Sequence, residues 1–247
     1  MKNFILKSLN NLANNFGYAV KISKNTNLKY DTIYTSSQYA PWNIDTEFKK
    51  VWTTINKKYT LSDEKRCYEL WELMEQIVKL PEGIILEVGV WRGGTGILMA
   101  QKLKLLGDKT KIFLADTFEG IVKASEKDNY CVGGEFSNTS VDIVNELAKK
   151  MEVNNYEILK GIYPDQTSEK VKNFKIKLCH IDVDVYNSAK DIIDEMWERL
   201  VLGGVIVFDD YGCKDTEGIN TFVNEQRKFK DRLIIHNLNG HAIIIKI

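Results

Sequence analysis

The stretch Ile84-Ile85-Leu86-Glu87-Val88-Gly89-Val90-Trp91-Arg92-Gly93-Gly94-Thr95-Gly96 decides the fold. Its first half is a short apolar run that breaks at a glycine, as a buried strand does. Its second half is a glycine-rich turn, and Thr95 to Leu106 then reads as a helix. The same strand-then-helix unit recurs downstream. Strands are expected at 112–116, 156–160, 176–182 and 205–209, with helices near 141–151, 188–200 and 218–229. Strands alternating with helices imply a parallel sheet covered on both faces. Two late runs, 232–237 and 242–247, are joined through Asn239-Gly240, a favourable hairpin turn, so one late strand must run antiparallel to its neighbour.

Upstream the texture differs. Gly17 is the only glycine before Leu80. Helical periodicity is expected over 45–59 and 62–80, with Ser62 as N-cap of the second helix. Phe4, Ile5, Leu9, Leu12 and Phe16 recur at helical spacing, so an amphipathic helix is expected there, packed in its own domain or on a sister subunit. One domain is therefore expected over 1–247: a helical lid or acceptor region to about residue 80, and a sheet core from 81.

Composition narrows the function classes. The 247 residues carry 34 Lys+Arg against 34 Asp+Glu, with 44% hydrophobic residues. That balance excludes overall disorder and argues against a large basic surface for nucleic acid. No run approaches the ~18 apolar residues of a membrane span. Asparagines 10, 11, 14 and 15 interrupt any signal-peptide core, and the cysteines at 67, 131, 179 and 213 form no C-x-x-C. A cytoplasmic, reduced protein is expected.

In an open α/β sheet, ligands bind beyond the carboxyl ends of the strands. Polar residues gather there. The glycine turn lets backbone approach a ligand and opens a helix N-terminus, although a tight strand-to-helix turn alone also explains its glycines. It is not G-x-G-x-x-G. Glu87, inside the strand end, needs donors, from a ligand amine or from backbone N–H groups. Asp116 ends the second strand, where an acid commonly accepts from ribose hydroxyls. This pattern fits a nucleoside carrying an amino acid better than a dinucleotide. Asp182, Asp209 and Asp210 end two further strands. A divalent cation among them relieves their repulsion, and oxygen-only ligands point to Mg²⁺, Mn²⁺ or Ca²⁺; helix capping is the alternative. Asp184 is a further ligand or a supporting group. His180 reads as a core residue, and His236 and His241 as structural or surface residues of the hairpin.

Four segments taken together resemble the TylF/MycF/NovP family of S-adenosylmethionine-dependent sugar O-methyltransferases. They are Leu86 to Thr95, Ala115 to Gly120, His180 to Tyr186 and Phe208 to Gly212, in a likeness running from about Tyr39 to Lys228. The resemblance implies a Rossmann-like class I methyltransferase with a mostly parallel seven-stranded sheet and an N-terminal helical lid. It implies S-adenosylmethionine as donor and Mg²⁺ held by Asp182, Asp209 and Asp210. Glu87, Gly89 and Asp116 would hold the donor, with Trp91, Gly93, Thr95, Thr117, Phe118, Ser140, Gly161 and Asp182 around it. Asp182 or Asp184 would be the base. The acceptor is expected to be a sugar hydroxyl, whether nucleotide-linked, in a surface polysaccharide or in a glycoside. A catechol-like acceptor is the alternative, and a nicotinamide-dependent oxidoreductase a more distant one. The apolar face of the first helix suggests a homodimer or larger homo-oligomer.

Overall fold

A computed structural model describes Lys29, Tyr30, Ile33 and residues 37–247. The expected helix over Phe4–Phe16 lies outside the described residues. Contacts divide the chain after Gln38, and every helix and strand of the described residues lies in the unit Tyr39–Ile247.

Seven strands form one sheet: β1 (Ile84–Val88), β2 (Ile112–Asp116), β3 (Tyr156–Lys160), β4 (Ile176–Ile181), β5 (Leu200–Phe208), β6 (Arg232–Asn237) and β7 (His241–Lys246), in the order β3-β2-β1-β4-β5-β7-β6. The first five are mutually parallel. β7 runs antiparallel between β5 and β6. The chain order reverses beside β1, which opens a crevice at its carboxyl end.

Among the described residues six α-helices cover the sheet: α1 (Thr46–Ile55), α2 (Glu64–Ile77), α3 (Gly94–Leu105), α4 (Val141–Lys150), α5 (Tyr186–Met196) and α6 (Glu217–Gln226). Alternation along the strands divides the core in two. Ile85, Leu178 and Val207 face a cluster built with Phe48, Trp71, Ile97 and Leu147, so α1 to α4 cover that face. Leu86, Cys179 and Phe208 face Ile192 and Phe222, which places α5 and α6 on the other. Helix α3 is buried along most of its length, because the sheet lies under it and α2 over it.

Several expected boundaries shift. α2 starts at Glu64, not at residue 62. Its N-cap is Asp63, whose carboxylate accepts from the N–H groups of Lys65 and Arg66. α1 stops at Ile55 and α5 at Met196. β5 begins five residues before the expected 205, where it pairs with the start of β4. The four cysteines are unpaired. Among the described residues no helix is long and apolar enough to cross a membrane.

Candidate functional site

A cavity of about 360 Å³ opens at the carboxyl ends of β1, β2, β4 and β5. Gly89, Trp91, Thr95, Asp116, Thr117 and Gly161 line one part, and Asp182, Asp184, Asp209 and Asp210 another. Glu87, Gly93, Phe118 and Ser140 do not line it.

The donor-side turn is held by Asp116. Its Oδ2 accepts from the backbone N–H of Val90 (2.7 Å) and Trp91 (2.8 Å), and its Oδ1 from that of Phe118 (2.6 Å). A carboxylate has about four acceptor sites, so room remains for one ligand hydroxyl. Gly89 has φ +88°, and a Cβ there would lie 1.7 Å from the Asp182 carbonyl oxygen. The turn therefore needs glycine to pass the end of β4. Trp91 also carries a positive φ, and its indole N–H donates to Asn138 Oδ1 (2.8 Å). Arg92 donates to the Asn138 carbonyl (2.8 Å), so the pair fastens the loop 137–139 beside the cavity. Ser140 caps α4, accepting from the Ile143 N–H at 3.2 Å.

Glu87 is fully buried under α3. A Cβ at Gly96 would meet its Oε2 at 2.3 Å, so that glycine makes room for the carboxylate. Glu87 and His180 are register partners on β1 and β4, and Oε1 lies 2.9 Å from His180 Nδ1. The partner of Glu87 is thus a histidine of the core.

The four aspartates act on one another, and two sets of partners meet them. Asp182, Asp184 and Asp210 offer carboxylate oxygens all within 4.8 Å of one another. Asp184 adopts a left-handed conformation (φ +62°), and its N–H donates to Asp210 Oδ2 at 3.0 Å. Burial and then the neighbouring acids push Asp182, Asp184 and Asp210 upward, Asp210 to about 6. Three crowded carboxylates with raised affinity for positive charge fit a divalent cation bound through oxygen. Asp209 lies beside these acids, its charge acting on both Asp182 and Asp210, and it also groups with His180 and His241. Its Oδ1 accepts from Ser62 Oγ (3.1 Å) and lies 3.0 Å from His241 Nε2, while its Oδ2 takes the Arg66 guanidinium. Burial pushes Asp209 up, but His180 at 3.7 Å, the hydrogen-bonded His241 and the Arg66 charge outweigh this and hold it well below the usual range.

Sequence reasoning did not anticipate Ser62, Arg66, Glu69 or a site role for His241. Charges on an amphipathic helix read as a solvated face, and a histidine beside a hairpin reads as local structure. The available signal was the spacing of Arg66 and Glu69, three residues apart on one face of α2.

Residues 20–239 match the family model described as macrocin-O-methyltransferase (TylF). The chain belongs to this family. The match reaches beyond the expected likeness at both ends. Among its relatives, the chain is 28% identical over 174 residues to the 8-demethyl-8-(2,3-dimethoxy-alpha-L-rhamnosyl)-tetracenomycin-C 4'-O-methyltransferase of Streptomyces olivaceus, covering 64% of this chain and 65% of that one. It is 29% identical over 175 residues to the demethyldecarbamoylnovobiocin O-methyltransferase of Streptomyces niveus, with the same coverage. The chain thus spans just under two thirds of the length of these relatives. The solved structure of the O-methyltransferase NovP superposes with a TM-score of 0.65 at 21% identity, over 76% of this TylF-family chain and 82% of that protein.

Proposed function

We propose that this TylF-family protein transfers the methyl group of S-adenosylmethionine to a hydroxyl of a glycoside-borne sugar, assisted by a divalent cation. One observation carries the reading: a single cavity joins the turn held by Asp116 to the cluster Asp182, Asp184 and Asp210. Donor and acceptor sites that share one cavity let positioning supply much of the rate.

The donor set fits both groups. Gly89 and Trp91 lead the chain around the donor end, and Asp116 keeps an acceptor position for a ribose hydroxyl. The acids opposite suit a sulfonium as well as a metal ion. A bound cation supplies Lewis acidity, which lowers the pKa of a coordinated hydroxyl. Asp182 or Asp184 is the proposed acceptor of the hydroxyl proton, since both line the cavity. Burial and then the neighbouring acids raise both in cation-free protein, and the one that the cation leaves uncoordinated would take the proton. The methyl carbon leaves sulfur for oxygen, the proton passes to a carboxylate, and a neutral thioether remains.

The cavity lining and the relatives bear on the acceptor. Among the described residues Arg66 is the cationic one there, and Asp209 already holds it; Asp116, Asp182, Asp184, Asp209, Asp210 and Asp215 are acidic. The names of the relatives, a rhamnosyl-tetracenomycin and a novobiocin precursor methyltransferase, favour a glycoside over a nucleotide-linked sugar. Tyr59, Trp91, Tyr130 and Phe136 add an aromatic wall, which supports a catechol-like acceptor as the second reading.

Calorimetric titration with S-adenosylmethionine, followed by a mass-detected screen of glycosides, nucleotide sugars and catechols with Mg²⁺ or EDTA, tests the proposal. Donor binding and Mg²⁺-dependent methylation of glycosides are expected. A folded protein that ignores the donor sinks the reading. Full turnover in EDTA removes the cation, and transfer confined to catechols selects the second acceptor.

A further inference from the structure

The connection from β2 to α4 is long, and its first part closes on itself. The Ile121 N–H donates to the Glu135 carbonyl and the Gly134 N–H to the Ile121 carbonyl, each at 2.9 Å. A Cβ at Gly120 would lie 2.4 Å from the Glu135 carbonyl oxygen, so glycine is what lets the two ends meet this closely. Between them, 121–134 form an Ω-loop, a kind of loop that frequently carries function. The Glu135 carboxylate accepts from the N–H groups of Val132 and Gly133, each at 2.9 Å, and so shapes the tip. Tyr130 and Cys131 of the loop, and Phe136 just after it, line the cavity. Cys131 is buried on the side of the acids: after burial itself, the charge of Asp184 does most to raise its thiol. Tyr130 and Phe136 are exposed and stand toward the mouth. The loop thus walls the cavity from the proposed methylation centre outward.

Asp128 fastens this loop. Its Oδ2 accepts from the backbone N–H and the hydroxyl of Ser125, each at 2.9 Å, which folds the loop locally. Its Oδ1 accepts at 2.9 Å from the N–H of Tyr186, the first residue of α5. Helix α5 lacks such a partner of its own. Its N-cap is Val185, which offers no side-chain bond, and its first turn holds no acid. Helix α6 leaves the space for the carboxylate, since a Cβ at Gly218 would meet Asp128 Oδ1 at 1.9 Å. Further ties bind the same loop to its base. Ser188 Oγ donates to the Val122 carbonyl at 3.2 Å, Lys123 Nζ to Asp191 at 2.6 Å, and the Asn129 amide to the Lys214 carbonyl at 3.3 Å. Asp63 caps α2 from that helix's own N-cap, whereas the cap of α5 comes from the loop that walls the cavity. Cap and wall are therefore one unit.

We propose that Asp128 is a positioning residue for the acceptor: it holds the loop 121–134 on the start of α5, so that Tyr130, Cys131 and Phe136 form the wall against which the glycoside rests. The proposal rests on the methyl transfer to a glycoside proposed above. Asp128 itself touches neither substrate. It acts through the loop, and Gly218 acts through Asp128 by leaving its carboxylate room. Contacts made to the body of the acceptor hold it in the ground state and the transition state alike, so their loss is read in KM rather than in kcat.

The test is steady-state methylation of a panel of 4-nitrophenyl glycosides with Mg²⁺, beside S-adenosylhomocysteine calorimetry and thermal unfolding. Asp128→Ala removes the tie, and Gly218→Ala displaces it from the α6 side without touching the loop. Both are expected to raise the glycoside KM by about tenfold, with kcat kept within about threefold and S-adenosylhomocysteine affinity within about twofold. Asp128→Asn keeps an oxygen for the Tyr186 N–H, and asparagine caps as well as aspartate does, so it is expected to recover most of the KM. Wild-type KM in folded Asp128→Ala and Gly218→Ala overturns the proposal. So does a KM rise that Asp128→Asn fails to restore and that tracks unfolding temperature, since that marks a role in stability alone. A fall in kcat at wild-type KM also overturns it, because the substitution then acts through α5 on the acids. If the wild type binds S-adenosylhomocysteine but methylates none of the panel, the glycoside reading fails and this proposal fails with it. If the wild type methylates the panel and the variants match it, only this proposal fails.

Discussion

Asp210 and Gly89 show how much a single position carries at this site. Asp210, raised to about 6 by burial and by Asp209, sits in the cluster best suited to a cation. Asp210→Asn removes a charged ligand and relieves repulsion. It is expected to abolish most of the Mg²⁺-induced rise in unfolding temperature while sparing donor binding, which differential scanning and calorimetry can read side by side. Gly89 has a different reason. With φ +88° and an Asp182 carbonyl 1.7 Å from any Cβ, Gly89→Ala must move the backbone of β1 or β4. A loss of at least about 2 kcal/mol in urea unfolding is expected, together with weaker donor binding, since the same shift disturbs the N–H groups that face Asp116. The glycine was visible in the sequence as a turn residue. That its neighbour is the end of β4 was not.

Helix α2 shows what an amphipathic pattern reveals and what it conceals. Its apolar face, from Cys67 through Leu70, Trp71 and Met74, was legible from spacing alone. Its start was displaced because Ser62 and Asp63 both suit an N-cap. Asp63 takes that role, and Ser62 is free to donate to Asp209. Asp63→Ala is expected to cost about 1 kcal/mol in chemical unfolding, with most of it recovered in Asp63→Ser, since a serine hydroxyl also caps. Arg66 and Glu69 were indistinguishable from solvated helix charges, because nothing local states that β5 and β7 lie beneath them.

Across the whole molecule, pH acts on the two acid groups in opposite ways. Asp182, Asp184 and Asp210 are raised in the folded state, so the folded protein binds more protons than the unfolded chain, for Asp210 between about 4 and 6. In cation-free protein their contribution to stability therefore rises as pH falls through that window. His180, raised to about 10 by Asp209 and Glu87 against burial, contributes stability that is full below about 6.5 and lost as pH climbs through 10. Asp209, held low, contributes above its unfolded value of 3.8 and loses that only at lower pH. Under the proposed cation dependence, Mg²⁺ would change the sign for the cluster, because protons then compete with the ion. At about a hundred times its dissociation constant, the ion is expected to add roughly 2.7 kcal/mol near neutrality. That increment is expected to vanish below about pH 5. Unfolding scans at both pH values, with Mg²⁺ and with EDTA, check this; an increment independent of pH would place the ion elsewhere.

The sequence by itself determined the sheet, the order of its helices and strands, and the polar residues at one end. These rest on periodicity and turn chemistry, which act over a few residues. Only the tertiary structure decided which acid serves which purpose. Adjacent aspartates at a strand end meet different partners, and what each meets depends on strands and helices far off in the chain. Asp209 met Arg66 and His241, Asp210 met Asp182 and Asp184, and Glu87 met His180 beneath α3. Those pairings are set by strand order and helix packing, which no local pattern encodes.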